Sequence, residues 1–358
     1  MNDIISSEMN KFGINNFLNL SQKYSNSIFP NLNINNVFDS ALNGDIYNAF
    51  KNNVLSNIFL REIKDSINLM ASIVLIVIIH TIFKTIVDGL KNSESGKIVY
   101  FIQYLLIVTL IINSFISILD LTKNTINDLS NYMNILIPLM VTLIITTGSF
   151  TTANVFQPFL VFLVSFMGNF IIEVIIPILL ISISFSIVSS ISEKVQIDKL
   201  SKILKSSIVW ILGILLTIFT SILSLEGTLS SGVDGLTTKT TKAAVSNIIP
   251  VVGKIVCDTT DSVIGCTNIL KNSVGIIGII IIVCIVAIPV LKILSMWFSF
   301  KLTAVICDAI ADIRITKLME QIADAYKILL GVLASISVMF IIGLTLVIKI
   351  TNSVMMYR

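Results

Sequence analysis

The chain has 358 residues, of which 55% are hydrophobic and 13% charged, and it carries a formal net charge of +3. Its mean hydropathy is +0.94. Soluble domains carry about 25% charged residues, so this composition excludes a soluble enzyme and predicts an all-α, polytopic transmembrane helical bundle. Because the net charge is small and no basic cluster lies among aromatic residues, no nucleic-acid partner is expected.

Residues 1–66 form the first predicted region, which we expect to be extracytoplasmic. Asparagine is the commonest residue in positions 1–40, and this stretch lacks the apolar run of roughly 7–15 residues that a secretion signal needs. We expect no packing against the rest of the chain for this asparagine-rich start. A helix is predicted from Asn43 to Asn68.

Apolar runs long enough to cross a bilayer follow, since a spanning helix needs roughly 20 mainly apolar residues. The run Val155–Ile191 is too long for one ordinary span, and Gly168, Asn169 and Pro177 favour a turn within it. We therefore divide it near 155–170 and 174–191 and predict about seven to eight spans. In the predicted regions 67–225 and 274–358 the runs are Ile67–Val87, Ile98–Leu119, Leu129–Thr147, Val155–Ile191, Ile203–Leu225, Val274–Ser295 and Ile328–Ile350.

The basic residues between these runs predict the orientation, because lysine and arginine concentrate in cytoplasmic loops. When Val155–Ile191 is divided, three groups of basic residues fall on one side of the membrane, whereas the opposite side has only Lys123 between the second and third runs and none near 171–173. Both termini are then expected outside the cytoplasm. The residues on the cytoplasmic side are Lys84, Lys91, Lys97, Lys194, Lys199, Lys202, Lys205, Lys292, Lys301, Arg314, Lys317 and Lys327.

Residues 226–273 are predicted to form an extracytoplasmic amphipathic loop. Gly232 and Gly235 suit a turn, Asp234 or Thr237 suits the cap of a following helix, and Pro250 is expected to end or kink a helix. The two amphipathic pieces around Pro250 are too short and polar to span, so we expect them to lie in the interface or re-enter the bundle. Long loops are usually functional or disordered, which favours function over a mere connector. The candidate contact residues are Asp234, Gly235, Thr237, Pro250, Gly253, Asp258, Asp261, Gly265 and Cys266.

Several runs in this loop resemble the stage III sporulation protein AE family. They are Gly232-Val233-Asp234-Gly235-Leu236-Thr237, Lys242-Ala243-Ala244-Val245, Ile249-Pro250-Val251-Val252-Gly253, Asp261-Ser262-Val263-Ile264-Gly265-Cys266 and Leu270-Lys271-Asn272-Ser273-Val274-Gly275. The resemblance extends over approximately residues 60–350. It implies a role in endospore formation in Firmicutes, in the mother-cell membrane around the forespore. Members of the family normally begin with a signal peptide.

The resemblance also implies partners. Family members act in a secretion-like channel complex that joins mother cell and forespore, and this member looks permease-like. The implied partners are the other membrane proteins of the stage III sporulation A operon, a forespore-side complex, the lipid bilayer and a cytoplasmic ATPase.

Two further groups of polar residues are candidates for function. Glu173 is either a solvated carboxylate in an external turn or, with Asn169 and Pro177, part of a pore or substrate site in a broken helix. In the internal segment 296–327, which we predict to be an amphipathic helix, acidic residues recur at intervals of four or eight. These residues, Asp308, Asp312, Glu320 and Asp324, form either a solvated face or a docking surface for a cytoplasmic partner.

Sequence motifs for catalysis are absent: the chain has no GxxxxGK[ST], HExxH, GxSxG or GxGxxG. We expect no enzyme activity, cofactor or metal. The four cysteines are interpreted as small apolar helix residues, and a disulfide between Cys257 and Cys266 is left open.

The leading hypothesis is a channel or permease-like membrane subunit of the sporulation complex. One alternative is a stand-alone secondary transporter of a small solute, and the other is a scaffold that conducts nothing.

Overall fold

Nine α-helices make up the computed structural model, which describes residues 9, 11–26, 33–43, 55–89, 93–147, 149–191, 197–248 and 252–356; these residues contain no β-strand. A five-residue π-helical segment, Ile171–Ile175, joins two of the helices. The helices are α1 Ile14–Asn26, α2 Ile34–Asn43, α3 Leu55–Gly89, α4 Ser93–Thr146, α5 Phe150–Phe170, α6 Ile176–Ile191, α7 Asp198–Ile248, α8 Val252–Asp308 and α9 Ile313–Met356.

Six helical stretches of the described chain are long and apolar enough to cross a membrane. They confirm the all-α membrane class, and they show that the predicted count of seven to eight spans was only approximate. The stretches are Ser66–Phe83, Tyr100–Thr146, Ala153–Ile191, Asp198–Leu225, Val263–Asp308 and Ile313–Lys349.

One predicted break, between Leu119 and Leu129, is replaced by continuous helix in α4. The polar residues that suggested a loop there lie on one exposed face of the helix, while Thr122, Thr125 and Ile126 on the opposite face are buried. The segment is therefore an amphipathic helix, in which polar residues with a helical period face outward. The exposed residues are Asp120, Asn124, Asn127, Asp128 and Asn131.

The predicted turn near Asn169 is also wrong, because the backbone stays helical from Phe150 to Ile191. Gly168 is present for close packing: a Cβ there would lie 2.6 Å from the Ser130 Oγ of α4. Pro177 follows the π-helical segment and sits in the first turn of α6, where a missing backbone N–H is tolerated.

The three connections that carry most of the basic residues meet at one end of the bundle. Thr81 donates a hydrogen bond to the Ile310 carbonyl at 3.0 Å, and Tyr100 donates to the Ser190 carbonyl at 3.2 Å. We call this the lysine end; it is formed by the ends of α3 and α4, of α6 and α7, and of α8 and α9. Two predicted breaks are absent, one within α4 and one between α5 and α6. The number of crossings therefore falls by two, and the helices after α6 keep their predicted direction. The start of α3 and the end of α9 therefore still lie opposite the lysine end.

The N-terminal region contains two packed helices that the sequence analysis missed. Phe17 and Tyr24 of α1 contact the buried Tyr132 of α4, with ring centroids 6.1 and 5.7 Å apart. Burial, and secondly the Asp128 carboxylate, raise the pKa of Tyr24, which keeps its phenol protonated. In α2, Ile34 donates its N–H to Gln22 Oε1 at 2.7 Å. The asparagine-rich start therefore does pack. Its buried apolar residues are Ile14, Phe17, Leu18, Ile34, Val37 and Phe38.

The predicted external loop is largely a continuation of two long helices. α7 runs without interruption to Ile248, so the turn expected at Gly232 and Gly235 and the cap at Asp234 or Thr237 are wrong. α8 begins at Val252 and continues to Asp308. The amphipathic pieces are thus extensions of apolar helices, and Pro250 lies between them, outside the described residues.

The predicted amphipathic helix 296–327 is not continuous: it comprises the end of α8, a turn at residues 309–312 and the start of α9. The chain bends where the N–H of Ala311 bonds the Cys307 carbonyl at 2.7 Å. Asp312 then precedes α9 and accepts a hydrogen bond from the backbone N–H of Arg314 at 3.1 Å. Such a side-chain cap favours a fresh helix start over a continuous interfacial helix.

Candidate functional site

The apolar helices are much longer than a bilayer is thick. The apolar stretch of α4 has 47 residues and that of α8 has 46. At 1.5 Å per residue each extends about 70 Å, whereas the hydrocarbon core is about 30 Å thick. If the helices run roughly perpendicular to the membrane plane, only part of each helix can therefore lie in lipid.

A belt of ionisable residues surrounds the bundle at mid-height. Three of its members lie on α3, α4 and α8 and the fourth on the π-helical segment. Each is 17 to 20 residues, or about 25–30 Å, along the chain from Thr81, Tyr100, Ser190 or Ile310 at the lysine end. Lys64, Asp120 and Glu173 are exposed, and Lys292 is half-buried. We call these four residues the ionisable belt. Charged side chains are costly inside hydrocarbon, so the belt marks a natural upper limit for the lipid.

Between the lysine end and the belt, which we call the inner half, the outward-facing residues are mainly large and apolar. Exposed hydroxyls there bond back to their own helix, as Thr109 does to the Leu105 carbonyl at 2.8 Å. This is the surface that lipid requires. The exposed apolar residues include Leu75, Ile78, Ile79, Ile82, Phe83, Phe101, Ile102, Leu105, Leu106, Leu180, Ile181, Val188, Phe298, Leu302 and Val305.

Beyond the belt lies the outer half, which comprises the remaining helix lengths together with α1 and α2. Its α4 surface is polar, with Asn127 and Asn131 exposed. Its interior is tightly packed: a Cβ on Gly278 of α8 would lie 2.6 Å from Leu136 and 3.2 Å from Leu344. The cavity among α4, α5 and α9 has a volume of only about 10 Å³, which leaves room for about one water molecule.

The predicted site residues Asn169, Glu173 and Pro177 come together, but on the surface. All three are exposed along one stripe that crosses the π-helical segment. They point away from the bundle interior, so a pore inside this bundle would not use them. Glu173 is instead a member of the ionisable belt.

Asp308 and Asp312 lie at the lysine end, on either side of the α8–α9 turn, rather than on one helix face. Asp308 is exposed at the end of α8. Asp312 forms a salt bridge with Arg314 at 2.9 Å, and the Arg314 guanidinium lies 4.1 Å from the centroid of the Tyr100 ring. Asp312 therefore fixes the turn against α4.

The loop residues fall into two groups. For Asp234, Gly235, Thr237, Gly253, Asp258 and Asp261 the structure places the backbone within α7 or α8. Cys266 is buried and forms no disulfide, and nothing lies within 4 Å of a Cβ placed on Gly265. Close packing therefore does not explain this glycine. Nearby, Lys271 is wholly buried in α8, which the sequence analysis overlooked.

Serine side chains join α6 to α7 near the lysine end. Ser201 Oγ lies 3.0 Å from Ser182 Oγ and 2.8 Å from Ser186 Oγ, and all three residues are buried. Ser190 donates to the Ser186 carbonyl at 3.0 Å. The signal for this cluster was a serine at every fourth position of α6, which marks one helix face. Such hydrogen bonds hold membrane helices together.

A second polar group lies between α7 and α9. The buried Lys205 donates from Nζ to the Gln321 carbonyl at 2.7 Å, and the Gln321 amide donates to Asp198 at 3.1 Å. Beside it is a cavity of about 530 Å³ that also meets Lys202 and Lys327. In the sequence, these lysines indicated only the orientation of the chain. Their arrangement around one cavity required the register between two distant helices.

The fold defines a polytopic helical membrane protein with extended helices on the side away from the lysine end. The model of the stage III sporulation protein AE family matches residues 32–351. The stage III sporulation protein AE of Bacillus subtilis (strain 168) is 30% identical over 290 residues, which cover 81% of this chain and 73% of that protein. The chain therefore belongs to the stage III sporulation protein AE family. No solved structure matches it significantly.

Proposed function

We propose that this protein is a non-enzymatic membrane subunit of the channel-like complex that joins mother cell and forespore during sporulation. It would reside in the mother-cell membrane around the forespore, with the lysine end in the cytoplasm. The inner half anchors it in lipid. The outer half stands in the intermembrane space, where it contacts the other subunits.

The observation that carries this proposal is the height of the bundle relative to the ionisable belt. Apolar stretches of about 70 Å cannot be accommodated by a 30 Å core without large mismatch. The belt and the polar face of α4 support a lipid boundary at mid-height. The outer half then offers a rigid surface of α1, α2 and the polar face of α4 to extracytoplasmic partners.

The packing of the outer half indicates where a channel would form in the complex. The close approach at Gly278 and the 10 Å³ cavity favour a closed interior in the outer half. We therefore propose that a channel forms between this chain and other subunits rather than through the chain itself. Asp308, which is exposed at the lysine end, is available to a cytoplasmic ATPase.

A stand-alone secondary transporter would need a polar pocket at mid-depth. The described polar groups favour the complex subunit instead. The serine cluster and Lys205 lie close to the lysine end and bond neighbouring helices, and Glu173 faces outward.

The test uses exposed positions whose replacement leaves the core intact. Asn127→Trp and Asn131→Trp alter the outer surface of α4, while Leu106→Trp is the matched control on the inner, lipid-facing surface of the same helix. We expect heat-resistant spore yield to fall at least about tenfold for the two outer variants at unchanged membrane abundance, and to stay normal for the control. An interface core is packed as densely as a protein interior, so an added indole ring would separate the partners. Normal yield and normal partner copurification for both outer variants would overturn the proposal.

A further inference from the structure

The first part of α9 exposes charged residues alone, at heights where α4 exposes apolar ones. Between Arg314 and Gly331, four residues of α9 are exposed and all four are charged. Their spacings of three and four residues place them along one side of the helix. We call them the charged stripe, and they are Lys317, Glu320, Asp324 and Lys327.

Two contacts with α4 fix the height of the charged stripe in the bundle. At the lysine end, the Arg314 guanidinium lies 4.1 Å from the centroid of the Tyr100 ring. Further along both helices, the Tyr326 and Ser114 hydroxyls are 3.1 Å apart. α4 and α9 therefore run side by side in the same direction. Asp324 precedes Tyr326 by two residues, so it lies level with the α4 residues just before Ser114.

At that level the surface of α4 is suited to lipid. Ile112 is exposed there, and α4 has no charged residue between Tyr100 and Asp120. Asp120 belongs to the ionisable belt and follows Ile112 by eight residues, or about 12 Å. Asp324 therefore lies below the belt, at a height where another side of the same bundle contacts lipid.

The carboxylates of the charged stripe need a polar environment at this height. Lys317 and Lys327 lie at the two ends of the stripe, and their long stems can carry the ammonium groups toward an interface. Glu320 and Asp324 lie between them and have shorter side chains. Charged residues within membrane helices almost always face a bundle interior or a water-filled cavity. The surface beyond the stripe is therefore not lipid.

Neighbouring helices widen this charged surface. Lys301 of α8 pairs with Glu320 at 3.7 Å, and Lys202 of α7 lines the same cavity as Asp324. A partner helix packed here would need charged residues of its own at several heights, and each is costly to place in lipid. A second copy of this chain fits no better, because two-fold symmetry about the membrane normal sets Glu320 against its own equivalent. Water solvates both signs of charge without these costs.

We propose that the charged stripe, together with Lys202 and Lys301, lines an aqueous path for small hydrophilic solutes across the inner half. The inference rests on the proposed function, because other subunits must supply the opposite wall of the path. It assigns the side of α9 to the channel and the opposite surface, which includes Leu106 and Ile112 of α4, to lipid.

The experiment measures the reaction of single cysteines with a cationic, membrane-impermeant methanethiosulfonate in open membrane fragments from sporulating cells. Only the thiolate reacts, and a thiol in apolar surroundings does not ionise readily. In an otherwise cysteine-free protein, Asp324→Cys should react within about tenfold of the rate of Asp308→Cys at the lysine end. Ile112→Cys, the matched control at the same height, should react at least about a hundredfold more slowly than Asp324→Cys, since burial in apolar surroundings raises a thiol pKa by several units.

A second pair of variants tests passage along the stripe. Asp324→Trp places an apolar ring in the path, and hydrophobic constrictions close pores by excluding water. Heat-resistant spore yield should therefore fall at least about tenfold at unchanged membrane abundance, whereas Ile112→Trp should leave it normal. If Asp324→Trp lowers the abundance of the protein, the labelling rates decide.

Three results would count against the inference. If partners copurify but Asp324→Cys reacts as slowly as Ile112→Cys, lipid or a packed helix covers the stripe, and this inference alone is overturned. Normal spore yield from an abundant Asp324→Trp would overturn it as well. Failure of every partner to copurify would overturn the proposed function and remove the opposite wall of the path with it.

Discussion

The inner and outer lengths of α4 belong to one continuous helix but have opposite surfaces. In the inner half, α4 exposes Phe101, Leu105 and Leu106. Some 25 residues further along the same helix, it exposes Asn127 and Asn131 and buries Ile126, Leu129 and Met133. Hydrophobic content alone therefore does not distinguish a helix segment that faces lipid from one that packs against protein. The two are distinguished by the side of the helix on which the apolar residues lie.

The largest effect is expected where the outer half is packed most tightly. In Gly278→Leu the new side chain collides with Leu136 and Leu344, which lie within 3.2 Å of a Cβ at this position. Overpacking of this kind costs about 1–3 kcal/mol or more, so membrane abundance, read by immunoblot, should fall several-fold. Gly213→Leu is the control, because nothing lies within 4 Å of its Cβ and the position is exposed. Equal abundance of the two variants would contradict the packing described for α8.

A smaller effect on the whole chain is expected where α1 docks on the outer half, because the loss is confined to the docking of one helix. Phe17→Ala removes a buried ring that contacts Tyr132 and should weaken docking by about 3 kcal/mol. Limited proteolysis should then cleave residues 14–43 much faster, while the rest of the chain stays resistant. Leu20→Ala, at an exposed position of the same helix, should leave cleavage unchanged. If Phe17→Ala leaves the cleavage rate as it is, α1 is not held by this contact.

The smallest effect is expected in the inner half, at the serine cluster. Ser201→Ala removes the hydroxyl shared by Ser182 and Ser186, and interhelical hydrogen bonds in membranes contribute about 0.6 kcal/mol on average. The thermal unfolding temperature in detergent should fall by only a few degrees. Ser207→Ala is the control, because its hydroxyl bonds only within its own helix, to the Ile203 carbonyl. A shift no larger than that of the control would remove the cluster from the contacts between α6 and α7.

Much of the fold followed from local signals in the sequence. The apolar runs gave the helices, and the basic residues gave one common end. The predicted boundaries were wrong where the same residue type is compatible with two different structures. Gly168 suggested a turn, but it permits close contact with Ser130. The polar residues after Leu119 suggested a loop, yet their helical period places them on one exposed face. The two errors cancelled in the number of crossings, so the three connections still meet at one end of the bundle.

The candidate sites were less predictable, because they depend on the register between distant helices. Lys205 was visible as one basic residue among many, and its partner Gln321 is 116 positions away. The packing of α1 carried a weak signal, since Ile14, Phe17 and Leu18 recur with a helical period, but asparagine dominated the composition. Most candidate residues of the predicted loop lie within α7 or α8 instead, and α7 continues to Ile248 without a turn.

The most direct test of the continuous helices is to determine the side of the membrane on which residue 150 lies. Phe150 is 59% exposed at the start of α5. In an otherwise cysteine-free protein, Phe150→Cys should react with a membrane-impermeant maleimide from the extracytoplasmic side, as Asn131→Cys should, whereas Asp308→Cys should react only after permeabilisation. Leu105→Cys should stay unlabelled within lipid. Labelling of Phe150→Cys only from the cytoplasm, as eight separate spans require, would contradict the continuous helices and the outer half built from them.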